Sequence, residues 1–295
     1  MTIRILACDG GGIRAYFQAL VLAGLELVEG KPCRELFHQM AGTSGGAIVT
    51  GLLAAGAPAV EIANLFVRLG PSIFAASWMH KIRTGFGLRG PKYDSSVLIK
   101  ALKDILGGVT MGELDAHLLL PSYNMTTGEA QVFSTDDAAV ADVPLWQAIL
   151  ASAAAPTYFA PVEINKEWYI DGGVFANNPA RLATISARHL WPGAELVTVR
   201  VGSGSENKKW DGSKAQRWTP ITWLKALTHI FIDGPMEAVD GGLQLEFGGH
   251  YISLDCQGVG VGLDDASSEA LTRLEGAAEK AFSSFEWEKA LGYLS

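Results

Sequence analysis

Cysteine is scarce in this chain: Cys8, Cys33 and Cys256 are the only three in 295 residues, and no C-x-x-C pair occurs. An odd, scattered set excludes a disulfide framework and a cysteine zinc site, and suits a reducing compartment; a cytoplasmic location is the expectation. Positive charge is also short. Lys and Arg number 23 against 31 Asp and Glu, for a net charge of −8. That balance excludes a broad basic face for nucleic acid, and it gives no general attraction to an anionic bilayer. Any membrane contact must therefore be local.

Long apolar runs are missing as well. The opening residues carry no extended apolar stretch before the first glycines, so no secretory signal is expected. Residues 36–60 hold no Asp, Glu, Lys or Arg, which raises the question of a membrane span. His38, Gln39, Thr43, Ser44, several glycines and Pro58 interrupt the run. A strand, a tight turn and a helix explain it better than a transmembrane helix does. No internal repeat and no low-complexity linker divides the chain. With 48% hydrophobic residues and a mean hydropathy of +0.19, a substantial core can form. The expectation is one α/β domain over residues 1–295, with surface excursions.

The periodicity predicts strands at 3–8, 36–41, 118–124, 129–134, 168–170, 196–201 and 250–254. Helices are predicted over 14–28, 46–55, 61–69, 95–106, 145–155 and 179–190, with one over 266–282 closing the chain. Two glycine-rich turns follow the first two strands. The first is Asp9-Gly10-Gly11-Gly12-Ile13-Arg14, and the second is Gly42-Thr43-Ser44-Gly45-Gly46. The second has the G-x-S-x-G form, which lifts a serine onto a sharp strand-to-helix bend with its hydroxyl at the rim of a sheet. The first strings backbone N–H groups at a helix start, where negative charge is stabilised. A nucleophile beside a place for the oxyanion it creates is the core of acyl transfer.

Competing readings exist. Gly10-x-Gly12-x-x-Ala15 also fits the dinucleotide fingerprint. That reading requires an acidic residue closing the second strand, where Gly42-Thr43-Ser44 stands instead. Arg14 gains nothing from the macrodipole in a first helical turn; an ion pair with Asp9 or Glu35, or a role near the oxyanion, would give it a reason. None of the six histidines, His38, His80, His117, His189, His229 and His250, lies in a marked loop. Asp171 does: it closes a strand and opens the Gly172-Gly173 turn. A carboxylate there could take the serine proton, or cap the turn as an Asx residue.

These three motifs, in this order, resemble those of patatin-like phospholipases. The stretches at 123–133 (YNMTTGEAQVF), 151–159 (ASAAAPTYF) and 263–268 (LDDASS) are similar to that family too. The likeness is best over about 1–205. It implies a three-layer α/β fold with a central, mostly parallel sheet flanked by helices, and lipid acyl hydrolysis by a Ser–Asp dyad without a catalytic histidine. Carried onto this chain, Ser44 matches the nucleophile and Asp171 the general base. Gly10, Gly11 and Gly12 match the oxyanion hole, Arg14 supports it, and Gly42, Gly46, Gly172 and Gly173 shape the turns. Ala15 stands where the family often has Gly, and Gly45 follows the serine where many members carry Thr; both changes bear on pocket shape near Ser44. No metal or cofactor is expected. The implied partner is a phospholipid or another acyl-ester lipid, met by peripheral membrane contact. Residues 71–93 interleave aromatics with cations and hold no acid before Asp94, as interfacial segments do. Trp78, Lys81, Arg83 and Phe86 are the candidate contacts, and 208–225, with Trp210, Trp218 and Trp223, is a second candidate. The alternative reading is a nucleotide- or lipid-binding module without acyl chemistry, or a signal-gated effector.

Overall fold

A computed structural model describes residues 1–75, 90–204 and 210–295; at 221, 224, 225, 228, 229 and 231–233 it describes the backbone alone. Eight strands form one sheet: β1 (Thr2–Cys8), β2 (Gln39–Gly42), β3 (His117–Asn124), β4 (Glu129–Ser134), β5 (Val162–Ile164), β6 (Glu167–Asp171), β7 (Glu195–Val201) and β8 (Tyr251–Leu254). Their order is β5-β6-β3-β2-β1-β7-β8, with β4 paired to β3 off this path. β3, β2, β1, β7 and β8 run parallel, and β4, β5 and β6 are antiparallel additions.

The parallel strands are apolar on both faces because helices cover both faces. Along β1, Leu6 and Cys8 face one cluster, built with α1 (Ala15–Glu29), α3 (Gly45–Ala54) and α4 (Ala59–Ile73). Ile3 and Ile5 point the other way, onto Ala183 and Ala187 of the helix Ala180–Leu190. This period of two along one strand makes a three-layer molecule.

Register decides where the loops emerge. Cys8 pairs with Gly42 of β2 on one side and with Val201 of β7 on the other. Three neighbouring strands therefore end in one row, and the turns that follow them leave the same edge about 5 Å apart. The chain order reverses at β1, so this row is the switch point where open α/β sheets hold ligands. β6 arrives antiparallel and delivers Asp171 opposite Ser122, three residues past the Ala41–Leu119 pair of β2 and β3.

Several boundaries differ from the sequence expectation. Residues 36–38 are not strand: Pro32 opens the short helix α2 (Cys33–Leu36), and β2 starts only at Gln39. The helix predicted over 145–155 stops at Ser152, short of Pro156. The C-terminus carries one more helix than expected. Ser284 accepts the Trp287 N–H and starts a separate segment, Phe285–Leu294, after Ser268–Ala281. A single helix, Pro220–Phe247, spans a region rich in glycine and continues through Pro235.

Candidate functional site

Ser44 sits immediately after β2 with φ 55° and ψ −120°, a left-handed backbone that costs a non-glycine residue about 1–3 kcal/mol. Such strain at a serine between strand and helix is the elbow geometry. The bend is possible because α3 starts pressed against the end of β1: a Cβ on Gly46 would lie 2.3 Å from the Cys8 carbonyl oxygen. Two bonds pin the elbow. The Ser44 N–H donates to the Ser152 carbonyl at 3.1 Å, and the Thr43 hydroxyl donates to the Ala176 carbonyl at 2.7 Å.

Asp171 closes β6 and is 4% exposed. Its N–H donates to the Ala154 carbonyl at 3.0 Å, and its Oδ1 accepts the Gly173 N–H at 2.7 Å. Burial pushes its carboxyl up to about 6, while the Ser44 hydroxyl and the Gly173 N–H work to lower it. The fold thus sets Ser44 and Asp171, 127 positions apart in the chain, close enough for the hydroxyl to act on the carboxylate.

The glycine loop lies against Ser44, with a Cβ on Gly10 falling 3.2 Å from the Ser44 Cβ. Its amides are not equivalent. Gly10 donates to the Asn177 carbonyl at 2.9 Å, Ile13 donates to the Leu263 carbonyl at 2.9 Å, and Arg14 donates back to Gly11. Among the described residues the N–H groups of Gly11 and Gly12 have no protein acceptor. Gly12 takes φ 56° with its back on the Leu263 oxygen, only 2.1 Å from where a Cβ would sit. No other residue fits there. The Gly10 carbonyl is held by the Ser203 hydroxyl at 2.7 Å and by Asn177 Nδ2 at 3.3 Å.

Asp9 does not pair with Arg14. It is fully buried and bonded to Arg200, whose Nε donates to Asp9 Oδ2 at 2.9 Å. Arg200 also reaches Asp240 and Asp255, each at 3.2 Å. The three carboxylates hold this guanidinium well above its ordinary value despite its burial. Burial likewise raises Asp9, and Arg200 pulls it back down; a guanidinium that stays charged keeps the pair an ion pair. Arg14 is 3% exposed, and its Nε and Nη1 have no hydrogen-bond partner among the described residues. No bond joins it to Ser44 or Asp171. Three described histidines bond elsewhere: His38 to the Arg4 N–H, His117 to Asp136 and His250 to Glu195. Trp78, Lys81, Arg83 and Phe86 lie outside the described residues.

Sequence reasoning missed Asn177, Ser203, Arg200 and the Leu263 carbonyl. Arg200 had a signal, since it is the one charged side chain inside the apolar run 196–201. The others act through backbone or short polar groups that leave no pattern.

The patatin-like phospholipase family model matches residues 6–184. A cGAMP-activated phospholipase from Pseudomonas aeruginosa is 30% identical over 261 residues, covering 86% of this chain and 78% of that protein. A calcium-independent phospholipase A2-gamma from Oryctolagus cuniculus is 32% identical over 68% of this chain, which spans only 28% of that longer protein. Patatin-like protein 1 from Oryza sativa subsp. indica is 28% identical, covering 81% of this chain and 69% of that protein. Motif order, fold and these matches agree, and the chain belongs to the patatin-like phospholipase family.

Proposed function

We propose that this chain hydrolyses fatty-acyl esters of lipids, phospholipids foremost, with Ser44 as nucleophile and Asp171 as general base. The observation that carries this reading is the buried Asp171 carboxylate, its affinity for a proton raised, beside the strained Ser44 whose hydroxyl acts on it. Burial makes Asp171 a better base than a solvated carboxylate, yet leaves it ionised at neutral pH. Ser44 Oγ attacks the acyl carbonyl as its proton passes to Asp171, and charge develops on the carbonyl oxygen. The Gly11 and Gly12 N–H groups, without an acceptor among the described residues, are the donors for that oxyanion. The Gly10 amide serves the loop rather than the substrate, because Asn177 engages it. The unpartnered nitrogens of Arg14 add positive potential behind the loop. Asp171 returns its proton to the departing alcohol or lysolipid, then activates the water that frees the acyl-enzyme.

Contact with lipid is peripheral in this reading, since no described helix is long and apolar enough to cross a membrane. A second reading concerns control. One relative, matched over 86% of this chain, is named a cGAMP-activated phospholipase, which favours a gated enzyme that idles until a small signal binds. Hydrolysis of a fluorogenic acyl ester tests the chemistry: Ser44→Ala and Asp171→Asn should each lose at least about 10³-fold in rate while remaining cooperatively folded. Full activity in either folded variant would remove the dyad.

A further inference from the structure

The two halves of the site sit on different segments. The glycine loop follows β1, and Asp171 closes β6 on the far side of β2 and β3. The sheet joins them through intervening strands, and Asn177, six residues past Asp171, ties the near end of the loop by its two bonds to Gly10. Another connection runs over the site and holds the far end of the loop. Behind the glycine loop, the Leu263 carbonyl accepts the Ile13 N–H and fills the space behind Gly12. The next residue, Asp264, accepts the Tyr93 hydroxyl at 2.6 Å and Lys92 Nζ at 2.5 Å. The backbone of that same dipeptide is bonded to the other half: Lys92 N–H donates to the Thr157 carbonyl at 2.9 Å, and Tyr93 N–H to the Tyr158 carbonyl at 2.8 Å. Residue Ala154, three positions before Thr157, accepts the Asp171 N–H.

We propose that Tyr93 and Asp264 are positioning residues: they form a strut that fixes the oxyanion-binding glycine loop relative to Asp171. The proposal rests on the acyl-transfer reading of the site. Tyr93 is 4% exposed, and its ring packs against Phe74 and Phe159 at centroid distances of 5.5 and 5.9 Å. Its hydroxyl thus meets Asp264 from a fixed platform. Burial pushes the Asp264 carboxyl up, but the Lys92 and Tyr93 hydrogen bonds outweigh it and hold the group below the usual range. Asp264 is therefore an ionised acceptor at working pH, and a hydrogen bond to a charge is stronger and shorter than a neutral one. Lys92 is half-exposed and contributes less, since water competes for its ammonium.

The test compares wild type with Tyr93→Phe, Asp264→Ala and the double variant, using p-nitrophenyl butyrate, a soluble ester that removes lipid binding from the readout. Tyr93→Phe keeps the ring packing, so a folded protein is expected. Each single change should lower kcat about 10-fold, as a sub-ångström misplacement of reacting groups does, with KM within about twofold. The double variant should be no slower than the slower single. Amide hydrogen exchange of peptides covering residues 9–15 should quicken in all three. Unchanged kcat in folded Tyr93→Phe, effects that multiply in the double variant, or unchanged exchange at 9–15 would each overturn the strut. Should wild type neither turn over ester nor react at Ser44 with a fluorophosphonate, the acyl-transfer reading falls. The exchange measurement still decides the strut in that case.

Discussion

As the proposed general base, Asp171 couples catalysis to stability through one proton. Its carboxyl is raised from 3.8 to about 6 in the folded chain, so only above about pH 6 is the base ionised. We expect kcat/KM for a soluble ester to rise through that pH to a plateau, and the ascending limb to vanish in Asp171→Asn along with the activity. The stability effect has the opposite sense. A group whose folded pKa exceeds its unfolded value stabilises most below the unfolded value, and that contribution is lost as pH rises through about 6. Near pH 8 the buried charge thus opposes folding, by on the order of 3 kcal/mol. Asp171→Asn, neutral at every pH, should melt higher than wild type at pH 8 and no higher at pH 4. Equal melting temperatures at both values would show that the carboxylate is not desolvated.

Among the elements, the row of strand ends at Cys8, Gly42 and Val201 is what converts separate turns into one site. Arg200, projecting from β7, ties that row together by bonding Asp9 at the head of the glycine loop. Arg200→Met would strand the buried Asp9 carboxylate and should cost about 3–5 kcal/mol in urea unfolding. Adding Asp9→Asn should recover part of the loss, because the uncompensated charge goes with it. A loss under about 1 kcal/mol would mean the pair is solvated. At the far end, Ser284→Ala should cost about 1 kcal/mol by removing the cap of the last helix, and leave kcat unchanged. Seven of the eight strands and most helices were legible because their apolar spacing is regular; β5 was not, because its three residues, Val162–Ile164, are too few to show a period. The last helix was not, because its start is set by one serine hydroxyl rather than by periodicity. The helix Pro220–Phe247 was not legible either, since Gly234, Pro235, Gly241 and Gly242 speak against one continuous helix.

For the molecule as a whole, the net charge of −8 means that lipid contact must come from local aromatic and cationic groups. Trp210, Trp218 and Trp223 stack edge to face at 5.2 and 5.0 Å; Trp78 and Phe86 carry the other sequence-based expectation. Trp78→Ala with Phe86→Ala should weaken sedimentation with phosphatidylglycerol vesicles more than it slows a soluble ester; equal losses on both would assign these side chains to the core instead. The candidate catalytic residues were legible because acyl transfer needs a serine and a carboxylate at glycine-bounded turns, and both turns are written in consecutive residues. What could not be read was which amides remain free, since that depends on Asn177 and Leu263 arriving from distant segments. Labelling with a fluorophosphonate followed by peptide mapping tests the central claim most directly. Wild type should carry the label on Ser44, Ser44→Ala should carry none, and Asp171→Asn should label far more slowly. A label on another residue, or wild-type labelling speed in Asp171→Asn, would contradict the account.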